Sequence, residues 1–335
     1  MDEGVSSSIK TILFDMDGVI TSELAYWKSA ALTVYEYFHN DYELNRERCY
    51  EDVDQIMATV FSENKTIEIL KSLSVNSNWD LTYLTILATE ILRFENSEDE
   101  SVFDKIPDFL MDKNASAPEL FDVLAEEYEE AFNMEDCSKE SEFYKEIQNS
   151  FQRWYHGGLI ECETPLIGMN ETVELISYLH NKGYTLGIGT GRPYIEIKRP
   201  LENWGILKYF DADRIISYDD VIADQFIYNK NREEPVRFAK PHPYTFLKGA
   251  KGKNDFSLSD LDDINPDSSV DKTSVHETSV LAVGDAVCDF EAAKAAGFKF
   301  CAVLTGVDGK ESENYFINEG ADFVLDNASI LKEIL

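Results

Sequence analysis

The sequence predicts a doubly wound α/β fold, a Rossmann-type parallel sheet, with an all-helical segment inserted near its start. Three observations predict it. Thr11 to Ile20 is an apolar run that breaks at Asp15, Asp17 and Gly18, as a buried strand does when it reaches a turn. From Pro165 onward, strand-like and helix-like patterns alternate, which implies parallel strands joined by right-handed crossovers. Between the two, only helical periodicity is found.

In chain order, residues 1–20 carry the first strand and residues 21–164 form the helical insertion. Leu24, Trp27, Ala31, Val34 and Phe38 share one helical face, as do Val53, Ile56, Met57, Val60 and Phe61. Leu120, Phe121, Leu124, Tyr128 and Phe132 form another, and Phe143, Ile147, Phe151 and Trp154 a last one. Asp80 is read as a helix cap and Pro118 as a first-turn residue. After Pro165 come a helix over 170–181, a strand over 184–190 and a helix over 193–204. Then follow a short strand at 214–217, a helix beginning at 243 and a strand at 280–283. A helix over 290–296, strands at 299–304 and 323–325, and a closing helix complete residues 165–335. Residues 249–279, rich in Asp, Ser and Asn, read as a mobile polar surface insertion.

Composition narrows the function. At 335 residues with 44% hydrophobic content, the chain can build two cores. A formal charge of −34 repels nucleic acid and anionic lipid surfaces, so neither is expected as a partner. No apolar run reaches the ~20 residues of a membrane span, and Met1 to Lys10 does not resemble a signal peptide. A cytoplasmic location is the expectation. The five cysteines, Cys49, Cys137, Cys162, Cys288 and Cys301, are scattered and read as reduced thiols.

Four short pieces at or beside strand ends carry the chemistry. They are Asp15-Met-Asp17-Gly18, Thr190-Gly191-Arg192-Pro193, Lys240-Pro241, and Gly284-Asp285 with Asp289. Taken singly, each has a plain structural explanation: Asp-Gly is a common turn pair, Thr190 could cap a helix, and Asp289 could complement a helix dipole. In a parallel sheet, however, the carboxyl ends of the strands meet at one crevice. Two acids at the mouth of a buried strand also call for a compensating cation or donors.

These four ordered pieces resemble the motifs of the haloacid dehalogenase-like hydrolase superfamily. Gly284-Asp-Ala-Val-Cys-Asp-Phe-Glu-Ala-Ala-Lys-Ala-Ala-Gly297 is especially similar to the phosphoglycolate-phosphatase and beta-phosphoglucomutase-like branch. The inserted helices occupy the place of that family's cap domain and exceed its ordinary length. The resemblance implies a phosphatase of small phosphorylated metabolites in which Asp15 is the nucleophile and Asp17 the acid/base. It further implies Mg²⁺ held by Asp15, the Asp17 carbonyl and Asp285, with Asp289 as a further ligand or as an acceptor behind the ligands, and with Thr190, Gly191 and Lys240 on the phosphate. An acid at position 17 points to phosphate esters, since family members that cleave carbon–halogen bonds or pump ions usually carry another residue there.

A cap should read the leaving group. Tyr26, Trp27, Lys28, Arg153 and His156 are the candidates, with packing as the competing explanation for the aromatic ones. Two alternatives to a phosphatase stand beside it. One is a sugar phosphomutase using the same residues. The other is a non-catalytic regulatory protein docking through its acidic helices. Oligomeric state is not readable from the sequence.

Overall fold

Short runs of β-branched and aliphatic residues form six strands in the computed structural model, which describes residues 8–39, 42–75, 77–96, 102–261, 279–307 and 309–335. They are β1 (Thr11–Phe14), β2 (Thr185–Gly189), β3 (Phe210–Ile216), β4 (Val280–Gly284), β5 (Lys299–Val303) and β6 (Phe323–Leu325). They join in the order β3-β2-β1-β4-β5-β6, and every pairing is parallel. The strand alternation of side chains divides β1 between two cores. Ile12 and Phe14 pack with Leu175, Ile188 and Val283, whereas Leu13 packs with Phe246, Phe290 and Phe300. A strand covered on both faces must be apolar throughout, which is why its pattern is a continuous run. Each such side chain contributes roughly 1.5–3 kcal/mol on burial.

The chain divides into two units, one built from residues up to Ser22 with Glu163–Leu335, the other from Glu23–Cys162. The second unit is helical: α1 (Leu24–His39), α2 (Tyr42–Glu51), α3 (Val53–Val60), α4 (Lys65–Ser72), α5 (Asn78–Asn96), α6 (Val102–Asp112), α7 (Glu119–Phe132) and α8 (Glu142–His156). Leu120, Phe121, Leu124 and Tyr128 of α7 are buried, as are Tyr144, Ile147, Phe151 and Trp154 of α8. Ser141 caps α8 by accepting from the Tyr144 N–H at 3.1 Å. Asp80, expected to be a cap, instead sits in the first turn of α5, where its N–H donates to the Ser77 hydroxyl. Among the described residues no helix is long and apolar enough to cross a membrane, and all five cysteines are free thiols.

The first unit adds α9 (Met169–Asn181), α10 (Tyr194–Asn203), α11 (Tyr218–Asn229), α12 (Tyr244–Lys251), α13 (Val287–Ala295), α14 (Glu313–Glu319) and α15 (Leu331–Ile334). Of the polar stretch 249–279, residues 262–278 lie outside the described residues. Its beginning is not a surface insertion: Gly249 and Ala250 are buried in the last turn of α12, and Leu261 is buried beside Phe238 and Tyr244. The polar composition masks the spaced apolar residues Phe256, Leu258 and Leu261, which pack there.

Candidate active site

The strand order reverses between β1 and β4, both of which start from the centre of the sheet. A crevice at such a reversal is where open α/β sheets bind ligands. Asp15 follows β1 directly, and its N–H donates to the Val283 carbonyl of β4 at 2.9 Å. Asp285 follows β4, and Asp289 lies in the first turn of α13. Carboxylate oxygens of Asp15, Asp285 and Asp289 lie within 4.8 Å of one another. One cation serves two of them: Lys240 Nζ is 3.0 Å from Asp15 Oδ1 and 2.6 Å from Asp289 Oδ1. Its ammonium also lies 5.0 Å from the centre of the Phe246 ring.

Crowding sets the electrostatics. Burial pushes the Asp15 carboxyl up to about 7; Lys240 opposes this, while Asp289 and Asp17 add to it. Burial works to lower the Lys240 ammonium, but the Asp15 and Asp289 carboxylates more than reverse it and hold the lysine charged. Asp289 has a second task, since its Oδ2 accepts from the Ala286 N–H at 3.3 Å at the start of α13. One oxygen of Asp289 thus serves the helix start while the other pairs with Lys240.

Glycines make room for these acids. A Cβ at Gly284 would overlap the Asp289 side chain, and a Cβ at either Gly18 or Gly306 would overlap the Asp285 carboxylate. Gly18 also has φ +70°, which an L side chain rarely adopts. Thr305, next to Gly306, donates to the Gly18 carbonyl at 2.6 Å and ties the two loops together.

Thr190, at the end of β2, is buried, and its hydroxyl accepts from the Arg192 N–H at 3.3 Å. Gly191 is exposed, and a Cβ there would meet nothing, so packing does not require glycine at this position. Asp17, two residues past Asp15, is gripped by Arg192: Nε lies 3.0 Å from Oδ2, and Nη2 lies 2.5 Å from Oδ1. Arg192 is 2% exposed, and its Nη1 reaches Glu163 Oε1 at 3.0 Å. Sequence reasoning quoted Arg192 within its motif without giving it a role, and passed over Glu163, Thr305 and Gly306. The one signal for Arg192 was a cation immediately after a strand end, in a chain short of cations.

The candidate substrate readers lie in the helical unit. Tyr26 is 6% exposed and its ring packs on Phe151 and Tyr155. The Trp27 indole donates to Glu23 at 3.3 Å, Lys28 pairs with Asp54 at 2.8 Å, and Arg153 pairs with Glu36 at 2.7 Å. His156 is exposed, with its ring edge-on to Tyr155. Packing and pairing account for the positions of Tyr26, Trp27, Lys28 and Arg153.

The chain was compared with known proteins. An X-ray structure from a structural genomics consortium is similar at a TM-score of 0.73 and 26% identity, covering 97% of this chain and 98% of that one. A candidate beta-phosphoglucomutase from Bacteroides vulgatus aligns at 0.45 and 17%, covering 97% and 87%. A candidate beta-phosphoglucomutase from Thermotoga maritima aligns at 0.46 and 17%, covering 98% and 100%. No curated protein matches. The haloacid dehalogenase-like hydrolase family matches residues 9–297. With its six-stranded parallel sheet and its acids at the central strand ends, the chain belongs to the haloacid dehalogenase-like hydrolases, a family of enzymes.

Proposed function

We propose that this enzyme hydrolyses the phosphomonoester of a small metabolite, with Mg²⁺ as cofactor and Asp15 as nucleophile. The observation that carries the proposal is the sharing of one lysine by Asp15 and Asp289, with Asp285 alongside. Two carboxylates share one ammonium, a third lies within 4.8 Å of both, and an all-oxygen donor set suits Mg²⁺. Asp15, Asp285, the Asp17 carbonyl and Asp289 would hold it. When bound, the ion would neutralise charge on the phosphoryl group and on its attacker.

The chain's own groups then divide the work. Asp15 attacks phosphorus in line, forming an oxygen–phosphorus bond as the ester bond breaks, so that one difficult displacement becomes two. A carboxylate facing a phosphate charge at ~4 Å costs about 4 kcal/mol at an effective dielectric of ~20. Lys240 offsets part of this and keeps Asp15 oriented. The Thr190 hydroxyl and the Gly191 N–H are the donors for the phosphoryl oxygens. Asp17 gives a proton to the departing oxygen, then takes one from the water that releases phosphate. Reading the leaving group falls to the helical unit, with Tyr26, Trp27, Lys28, Arg153 and His156 as the candidates.

The test is phosphate release from a panel of phosphorylated sugars, acids and nucleotides, with and without Mg²⁺, beside Asp15→Asn. Release that needs both the metal and Asp15 is the expected result. Turnover by folded Asp15→Asn at the wild-type rate would remove the nucleophile. Silence across the panel from folded, metal-loaded enzyme would remove hydrolysis.

A further inference from the structure

We infer that Arg192 is the positioning residue for the acid/base, and that Glu163 holds Arg192 in place for that task. The inference rests on the reading of Asp17 given above, and adds to it two residues with a defined job.

The geometry accounts for every nitrogen of the guanidinium. Nε and Nη2 take the two oxygens of Asp17 side by side, at 3.0 and 2.5 Å. Nη2 also donates to the Thr21 hydroxyl at 3.1 Å. Nη1 donates to Glu163 Oε1 at 3.0 Å and to the Glu196 carbonyl at 3.3 Å. A planar fork held at both ends cannot turn, and a carboxylate gripped through both oxygens cannot spin about its own Cβ–Cγ bond. Arg192 is therefore a fixed plane against which Asp17 is set.

The support behind the plane is equally tied. Glu163 is brought to Thr21 by a short antiparallel contact in which Ser22 N donates to the Thr164 carbonyl at 3.2 Å and Leu166 N to the Ile20 carbonyl at 2.9 Å. On the other side, the Arg192 carbonyl accepts from the Tyr218 N–H at 2.9 Å. Exposure separates the roles. The Arg192 and Glu163 side chains are 2% and 1% exposed, whereas that of Asp17 is 25% exposed. The arginine and glutamate are out of a substrate's reach, and the aspartate is not. Had the cluster only a packing role, a carboxylate that open to solvent would gain little from these charge-assisted bonds.

A proton donor matters in proportion to how badly the departing oxygen needs a proton. p-Nitrophenolate leaves without one. Phenolate, whose oxygen titrates near pH 10 as tyrosine does, leaves poorly without one. The test compares kcat/KM, which reports the step up to the transfer onto Asp15, for p-nitrophenyl and phenyl phosphate in Arg192→Met, Arg192→Lys and Glu163→Gln. The expected result is a loss of about 10²-fold with phenyl phosphate, a general acid being worth 10²–10⁴. With p-nitrophenyl phosphate the change should be small. Asp17→Asn should show the same split, and combining it with Arg192→Met should add little. Glu163→Gln should give the same split at smaller size.

Removing one member of a buried ion pair can unfold a protein. Should Arg192→Met fail to fold, Arg192→Lys and Glu163→Gln carry the same comparison. Equal losses on both esters in folded variants, or no loss on either, would overturn the inference while leaving Asp15 chemistry standing. A wild-type enzyme inactive on both esters and on the metabolite panel would instead overturn the function itself.

Discussion

Glu36 in the helical unit and Asp15 in the α/β unit have nearly equal side-chain exposure, 15% and 14%. Their surroundings differ. Glu36 receives Ser150 Oγ at 2.5 Å, Arg153 Nη2 at 2.7 Å and Trp154 Nε1 at 2.9 Å. Asp15 receives one lysine, which it shares with Asp289, and lies close to a third acid. The first is a carboxylate whose needs the fold has met, joining α1 to α8. The second is pushed up to about 7 because burial is only partly compensated. Equal burial with unequal donors separates a carboxylate satisfied by the fold from one whose charge is only partly compensated, the condition the proposed role of Asp15 calls for.

The comparison can be broken in several places. Removing the metal should have the largest effect. Chelation should silence phosphate release, and Mg²⁺ should restore it more readily than Ca²⁺, which takes looser and higher coordination. Equal restoration by Ca²⁺ would contradict a tight oxygen site at Asp15 and Asp285.

Next in size is Gly306→Ala, whose Cβ would push the Asp285 carboxylate aside. Titration calorimetry should show Mg²⁺ affinity weakened about 10–100-fold, as when ligand-orienting groups are disturbed. Unchanged affinity would mean that Asp285 does not ligate the metal.

On the helical side, Glu36→Ala should cost about 1–3 kcal/mol in urea unfolding, since the buried Trp154 and the half-buried Ser150 lose their acceptor. Turnover per folded molecule should persist. Its loss would place Glu36 in the chemistry and erase the contrast. Smallest is Lys28→Ala. Its partner Asp54 is 81% exposed, so the ion pair should contribute no more than ~1 kcal/mol. A selective rise in KM in that variant would assign Lys28 to substrate recognition.

Much of the α/β unit was readable because its period is unambiguous. The strands at β1, β2, β4, β5 and β6 announce themselves as apolar runs closed by Gly, Asp or Thr, and three of the four motif pieces fall at such closures, Lys240-Pro241 lying instead in the loop before α12. What escaped the sequence has physical reasons. Among its buried residues α11 counts only Val221, so it lacks the apolar stripe by which helices are recognised; its start is fixed instead by Asp220 accepting from the Ser217 N–H and hydroxyl. The grip of Arg192 on Asp17 joins residues 175 apart in sequence, and no local pattern encodes a contact of that range. Gly306 is intelligible only beside Asp285, because a glycine required by close approach leaves no trace in its own neighbourhood. In the helical unit, the two stripes that contain Trp27 and Trp154 serve packing, as such stripes generally do.

The most direct test of the central claim is to identify the atom that receives the phosphoryl group. Enzyme quenched in acid during turnover, reduced with borohydride and digested should carry homoserine in place of Asp15, found by mass spectrometry, with Asp17, Asp285 and Asp289 unchanged. Modification at Asp15 in the wild type, absent without Mg²⁺, is the predicted result. Steady turnover with Asp15 never modified, above all under conditions where Asp17→Asn slows the second step, would contradict the account.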